Sequence, residues 1–445
     1  LGRDETLGRL FENCVIDEAN HFEAAVRGAF GIEIASRETA DTLAYVESVL
    51  RRISPSAGGP FPAGIGATLA IGVFRELSAG FSEALAAVRS GGAAPGESMV
   101  LPAHHAAFLA ADLKRHLGEL RKGLKSVAAE LAFAKEPGAC RRLGIHPRTA
   151  DRLRTALRDL QENMDTFKAI AEKVASAGHV TAAVLYRRHW VLSVRAVEVA
   201  DLLRDHLYEG RDCVIFTSAT LRQGESFDGF RRAAGMPADE AGAGGREFRF
   251  AAIPSPFDPA AREIAVPEQA VSGAFECKEV WLNRVSELLP GLIRRNRGRT
   301  LVLFSSYGDL EAIAGRVGDE IRSDGFPLLL QQNGASTAAL CDEFRAIRES
   351  VLFGVDTFWY GVDFPGETLT QVIITRLPYP HPQDPLQIAR RNLLTREEYW
   401  KRYRYETAIK LRQGIGRLIR SESDRGRVVI LDSRYRGRKE EGVTL

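Results

Sequence analysis

Cysteine, methionine and lysine are scarce in this sequence. Its five cysteines, Cys14, Cys140, Cys213, Cys277 and Cys341, stand at least 64 residues apart, and no Cys-x-x-Cys pair occurs. That spacing argues against a disulfide framework or a cysteine zinc site and fits a reducing cytoplasm. No apolar run reaches the ~18 residues that a membrane helix needs. The formal net charge is only +2, so any basic groove has to be local. Lysine supplies 10 of the 60 basic residues, an arginine bias from which no function is read. No internal repeat stands out, and no Gly-x-x-x-x-Gly-Lys-Ser/Thr phosphate loop is present. The chain opens at Leu1 without a methionine or an apolar signal core and runs almost directly into a strand-like segment. We read it as a piece whose upstream part is missing.

What is present is an ordinary globular mix, 45% hydrophobic and 27% charged in 445 residues. That length suggests about two to four domains. Cys14-Val15-Ile16 followed by Asp17-Glu18 reads as a buried strand ending in two carboxylates. From 22 to 180 the texture is helical. Leu109, Leu113, Leu117, Leu120, Leu124, Val127 and Leu131 form one seam, and Leu153, Leu157, Leu160, Met164, Phe167, Ile170 and Val174 a second. Both step by three and four residues, the helical period, and predict an antiparallel helical hairpin. Residues 54–68 read as a Gly/Pro-rich loop. After 180 come β-rich runs around Arg187-Arg188-His189, then the strand Val214 to Phe216. Short apolar runs at 301–304, 328–330, 351–355, 372–375 and 428–431 follow, with helical stretches at 307–322, 336–347 and 396–412. Runs without alternation suit buried parallel strands, so this half predicts a doubly wound α/β sheet.

Four strand-end segments carry chemistry suited to phosphate. Asp17 can hold Mg²⁺ through water, and Glu18 can orient or deprotonate an attacking water. Thr217-Ser218-Ala219-Thr220 offers small hydroxyls that can exchange hydrogen-bond partners. In Phe358-Trp359-Tyr360-Gly361-Val362-Asp363-Phe364-Pro365-Gly366, Gly361 permits close backbone approach, Asp363 can accept a hydrogen bond, and the aromatics can stack on bases or fill a core. In Gln413-Gly414-Ile415-Gly416-Arg417-Leu418-Ile419-Arg420, a continuous helix would set Gln413, Arg417 and Arg420 on one face, a fork for terminal phosphate oxygens.

These segments, in this order, carry a resemblance. QGIGRLIR resembles motif VI of superfamily 2 helicases, VIFTSATL motif III, and VIDEANHFEAAV motif II, the DEAH box. FWYGVDFPGE and RTLVLFSSYGDLE resemble motifs V and IV in the form typical of DinG/XPD-type DNA helicases, and RLPYPHPQDP and VVILDSRY are similar to flanking segments. The resemblance implies an α/β RecA-like (phosphate-loop NTPase type) helicase domain. A large helical insertion would sit in what remains of a first RecA-like domain. It divides the chain into 1–21 (DEAH-box strand), 22–180 (Arch-like insertion), 181–262 (rest of the first RecA-like domain) and 263–445 (second RecA-like domain). It implies ATP-dependent 5′–3′ translocation on single-stranded DNA, with ATP and Mg²⁺ as cofactors. An iron–sulfur cluster would be present only if an upstream region carries it. Asp17, Glu18, Gln413, Arg417 and Arg420 would be catalytic, with Asp17 the Mg²⁺ residue. Ser218, Thr220, Gly361, Asp363 and Gly416 would serve nucleotide binding and coupling, and Ser305, Tyr307, Trp359 and Tyr360 would meet DNA. The implied partners are single-stranded or forked DNA and no membrane, for a cytoplasmic monomer. Three departures stand out: Asn20 occupies the box's His position with His21 next, Tyr360 replaces the usual Glu of motif V, and motif I is absent. The competing reading is a shortened, non-catalytic single-stranded nucleic-acid-binding or interaction module.

Overall fold

The computed structural model describes residues 12–51, 62–89, 98–101, 107, 111, 114–122, 125, 146–174, 176, 178–187, 189–209, 211–236, 247–332, 336–364, 366–419, 421 and 424–438. As far as its residues are described, the chain forms two compact units. One gathers Glu23–Gly210 with His381–Thr395; the other gathers Asn13–Phe22, Arg211–Pro380 and Arg396–Leu445. In chain order the strands are β1 (Asn13–Ile16), β2 (Ile32–Ala35), β3 (Ser98–Val100), β4 (His179–Leu185), β5 (Trp190–Ala196), β6 (Cys213–Phe216), β7 (Arg262–Ala265), β8 (Thr300–Leu303), β9 (Leu328–Leu330), β10 (Val351–Gly354), β11 (Gln371–Ile374) and β12 (Gly426–Ile430). The longer helices are α1 (Phe22–Ala29), α2 (Ser36–Leu50), α3 (Pro62–Arg89), α4 (Pro147–Lys173), α5 (Lys278–Arg295), α6 (Tyr307–Ser323), α7 (Thr337–Ala346), α8 (Pro385–Leu393) and α9 (Arg396–Ile415).

In the first unit α2, α3 and α4 pack against an antiparallel sheet of order β2-β5-β4-β3. The second leucine seam is its spine: Leu153, Leu160, Met164, Phe167, Ile170 and Val174 are buried, and Leu157 is partly so. Trp190 is fully buried, stacked on Phe81 at 4.8 Å, and its indole N–H donates to Ser78 Oγ at 3.2 Å. Of the first seam, Leu117 and Leu120 turn toward the core. Leu109, Leu113, Leu124, Val127 and Leu131 lie outside the described residues. Three sequence expectations change here. The segment 22–180 is not all helix: β2, β3 and the first residues of β4 fall in it, too short for a period to reveal. The compact unit continues past 180, because β4 and β5 turn Ala183, Leu185, Leu192 and Val194 onto the same core as the helices. Residues 62–68 are the start of α3 rather than loop, with Pro62 at the first helical position, where its missing N–H costs nothing.

The second unit contains a six-stranded, all-parallel sheet of order β7-β12-β11-β8-β10-β9. Its central strands are buried on both sides, which explains their unbroken Val/Leu/Ile runs. Helix α5, with Trp281, Leu282, Val285 and Leu289, and helix α6, with Leu310, Ile313, Val317 and Ile321, share one core. Trp359, Phe364, Leu411 and Ile415 belong to the other. The five expected strands appear within a residue or two, while α5 and edge strand β7 were not foreseen. A separate parallel pair, β1 and β6, is backed by Ala19, Leu221, Phe230, Tyr405 and Ile409.

Candidate functional site

The β1–β6 register pairs Ile16 with Phe216, so Asp17-Glu18 and Thr217-Ser218 leave the sheet side by side. Ala19 N–H donates to the Thr217 carbonyl at 2.9 Å and fixes that alignment. Thr217 Oγ1 donates to Asp17 Oδ1 at 2.7 Å. This hydroxyl, with the Glu18 backbone N–H, holds the Asp17 carboxyl below its ordinary 3.8, so it is ionised at neutral pH. Glu18 adopts a left-handed conformation, φ 47°, which non-glycine residues seldom hold outside sites that constrain them. That turn starts a 3₁₀ segment, Ala19–His21, which carries Asn20 and His21 to the same cluster.

Asn20 joins three of the four sequence segments. Its amide nitrogen donates to Ser218 Oγ at 2.6 Å and faces Glu18 Oε2 at 3.1 Å, while its oxygen accepts from His21 Nε2 at 2.9 Å and from Gln413 Nε2. In this orientation every donor meets an acceptor. Ser218 Oγ is then left to donate to Glu18 Oε2 at 3.3 Å. The His21 ring meets Tyr360 edge to face at 4.4 Å. Burial lowers the His21 pKa below 6.5, outweighing the Glu18 charge, and keeps the ring neutral as a donor. Burial likewise raises the Tyr360 phenol well above its usual range. Asp17, Glu18, Ser218, Tyr360 and Gln413 thus lie in one constellation. Tyr360, expected at DNA, packs its ring against His21.

The remaining expectations divide. Trp359 is fully buried, donates its indole N–H to the Phe304 carbonyl at 2.8 Å, and packs on Gly414, where an added Cβ would lie 2.8 Å from the ring. It is a core residue and offers no face to a base. Helix α9 ends at Ile415, so Arg417 lies past its end and the continuous helix expected to join it to Gln413 is interrupted. Gly414 and Gly416, poor helix residues, accompany that early stop. Arg417 folds back, its Nε donating to the Gln413 carbonyl at 3.2 Å and its Nη1 to the Val362 carbonyl at 2.8 Å, tying motif VI to motif V. Arg420 lies outside the described residues. Gly361 has φ 69°, the conformation that favours glycine. Asp363 is exposed, and its carbonyl accepts from Arg345 Nη2 at 3.0 Å. Gly416 N–H donates to the Arg412 carbonyl at 2.9 Å, and Thr220 is buried with its backbone N–H on Ser218 Oγ at 3.3 Å. Ser305 and Tyr307 flank the Ser306 N-cap of α6, both partly buried. Asn20 is the functional candidate that the sequence reading left without a role. Its signal was its place in the box.

Asp17, an ionised carboxylate with a hydroxyl behind it, would hold Mg²⁺, because that ion takes one or two protein carboxylates and completes its shell with water and phosphate. No cluster of three or more His, Cys, Asp or Glu that could hold a metal occurs among the described residues. No helix among them is long and apolar enough to cross a membrane.

A six-stranded parallel sheet of this order, with the four sequence segments at or near its strand ends and those of the β1–β6 pair, defines a protein of the RecA-like α/β fold. Residues 289–442 match the helicase C-terminal domain family. The ATP-dependent helicase DinG of Mycobacterium tuberculosis (strain ATCC 25177 / H37Ra) is 35% identical over 254 residues, 55% of this chain and 35% of that protein. The ATP-dependent DNA helicase YoaA of Escherichia coli (strain K12) is 29% identical over 56% of this chain and 37% of its own length. The 3'-5' exonuclease DinG of Bacillus subtilis (strain 168) is 28% identical over 61% of this chain and 28% of its own length. The chain therefore spans about a third of the curated relatives it matches. A solved XPD helicase superposes with a TM-score of 0.56 at 14% identity, covering 95% of this chain and 65% of that one, which shows a shared fold. The chain is similar to the DinG and YoaA helicases over a little more than half of its length, and residues 289–442 match the helicase C-terminal domain family.

Proposed function

We propose that this chain is part of an ATP-dependent DNA helicase that steps 5′ to 3′ along single-stranded DNA. The observation that carries the reading is the meeting of Glu18, Asn20, Ser218 and Gln413, which come from three distant stretches of sequence. In this reading Asp17 would hold Mg²⁺ through water, and that ion supplies charge neutralisation at the phosphates. Glu18 orients or deprotonates the attacking water. Gln413 and Arg417 report the nucleotide's state to motif V, through Asn20 on one side and the Val362 carbonyl on the other. Gly361, Asp363, Gly416 and Thr220 shape those strand ends. Ser305 and Tyr307 contribute to a single-strand contact.

These 445 residues contain no Gly-Lys-Ser/Thr loop to hold the β- and γ-phosphates. Losing one arginine finger already costs ~10³–10⁵ in rate, so by themselves they should show no DNA-stimulated ATP hydrolysis. The test is the product of the whole reading frame around Leu1. If it carries such a loop, DNA-stimulated hydrolysis and unwinding of a 5′-tailed fork are expected. Gln413→Ala and Arg417→Ala should then abolish turnover and leave single-strand binding largely intact. A loop-bearing product without stimulated hydrolysis overturns the proposal. A product with no loop that still binds single strands favours the non-catalytic module.

A further inference from the structure

Helix α9 carries an exposed stripe that none of the roles above uses. Arg396, Trp400 and Arg404 follow one another every four residues, so they lie along one side of the helix, with about 12 Å of rise from first to last. All three are exposed, Trp400 by 44% of its surface. A large indole half open to water costs hydrophobic free energy that burial elsewhere would recover. The ring is nonetheless held from behind: it meets Tyr403 edge to face at 5.4 Å and Tyr399 at 5.3 Å, and Tyr403 stacks on Tyr379 at 5.4 Å. Neither Arg396 nor Arg404 has a side-chain hydrogen bond or ion pair among the described residues. The nearby Glu397 is neutralised by Lys401. Glu398, two positions before Trp400, points to the far side of the helix.

We propose that this stripe is a single-stranded nucleic-acid contact, with Trp400 stacking on a base and the two guanidiniums taking phosphates on either side of it. The chemistry favours this occupant over an apolar protein surface. Two uncompensated cations bracket the ring, an arrangement that suits a flexible polyanion with aromatic bases and penalises a hydrophobic partner. The proposal rests on the DNA-binding reading above.

Tryptophan fluorescence isolates the site. Of the four tryptophans, Trp190, Trp281 and Trp359 are at most 1% exposed, and Trp400 alone is open to solvent. The 445-residue chain is titrated with a labelled oligothymidylate of roughly 16 nucleotides, following probe anisotropy and tryptophan emission together. Emission should be quenched in step with the anisotropy rise, and Trp400→Phe should remove most of the quench. Trp400→Ala should weaken binding about 5- to 150-fold. The double variant Arg396→Ala/Arg404→Ala should flatten the log–log salt slope by about 1.4. Binding by anisotropy with unquenched emission and unaltered Trp400→Ala affinity overturns the stripe and leaves the DNA-binding reading standing. No anisotropy change even at low salt overturns both. Equal quenching by an acidic peptide would reassign the surface to a protein partner and overturns the proposal.

Discussion

Asn20 and His21 show what a one-place change does to a relay. The position that reaches both Ser218 and Gln413 holds an amide, which can donate on one side and accept on the other without changing charge. His21, one residue later, supports that amide and rests on Tyr360. Replacing Asn20 with Leu leaves Ser218 and Gln413 short of a partner and should cost about 1–2 kcal/mol, read as a shift in the denaturant midpoint. The pH dependence follows from His21. Its folded pKa lies below its ordinary 6.5, so as pH falls from about 6.5 the unfolded chain takes up the proton first and stability declines until the folded ring also titrates. Thermal melts between pH 7.5 and 5.5 should show that decline, and His21→Gln should make it shallower. His179, whose pKa burial also lowers, adds to the same decline. Asp17, Glu18 and Ser218 were legible in the sequence because a strand's end fixes where its next two side chains go. The Trp359 assignment failed because an aromatic's burial depends on what covers it. Here that is Gly414, far along the chain.

At the scale of elements, legibility tracked burial. Central strands of the parallel sheet lie between two helical layers, so their apolar runs carry no competing period, and β8, β10 and β11 were read nearly to the residue. In the antiparallel sheet of the first unit, the β-rich runs around Arg187-Arg188-His189 became β4 and β5, while β2 and β3 were missed. β3 has three residues, and β2 spells Ile-Glu-Ile-Ala beside strong helical periods. The join between α9 and motif V also escaped the sequence. Gly414 lets the helix approach the Trp359 ring more closely than any Cβ allows. Gly414→Ala therefore forces an overpacked contact despite alanine's better helix propensity, and should destabilise by about 1–3 kcal/mol. An unchanged or raised melting temperature in that variant would show that the helix can shift to accept the methyl group.

Across the whole molecule, sequence neighbourhood and spatial unit part company. Residues 381–395 fall inside the matched helicase C-terminal domain at 289–442, yet they belong to the unit built from Glu23–Gly210. Helix α8 lies against β3 and β4. Its Arg390 is 1% exposed and pairs with Glu23 at 2.6 Å and with Glu198 at 3.5 Å. Glu23 also binds Arg27, whose guanidinium donates to the Ala196 carbonyl at 2.9 Å. No motif scan could place Arg390, because its partner Glu23 lies 367 residues away. Removing one side of such a buried pair leaves an uncompensated charge, so Arg390→Met should destabilise the first unit by about 3–5 kcal/mol. Removing both should hurt less than the sum: Glu23→Gln with Arg390→Met is expected to show a coupling free energy of about 0.5–3 kcal/mol. A fragment of residues 263–445 gives the complementary test, since it contains α8 without Glu23 or Glu198. Amide exchange across 385–393 should be slow in the full chain and fast in that fragment, while β8, β10 and β11, buried within their own sheet, stay protected in both. Equal protection of α8 in the two would mean that the helix is held by its own domain and that the Arg390 pair is incidental to it.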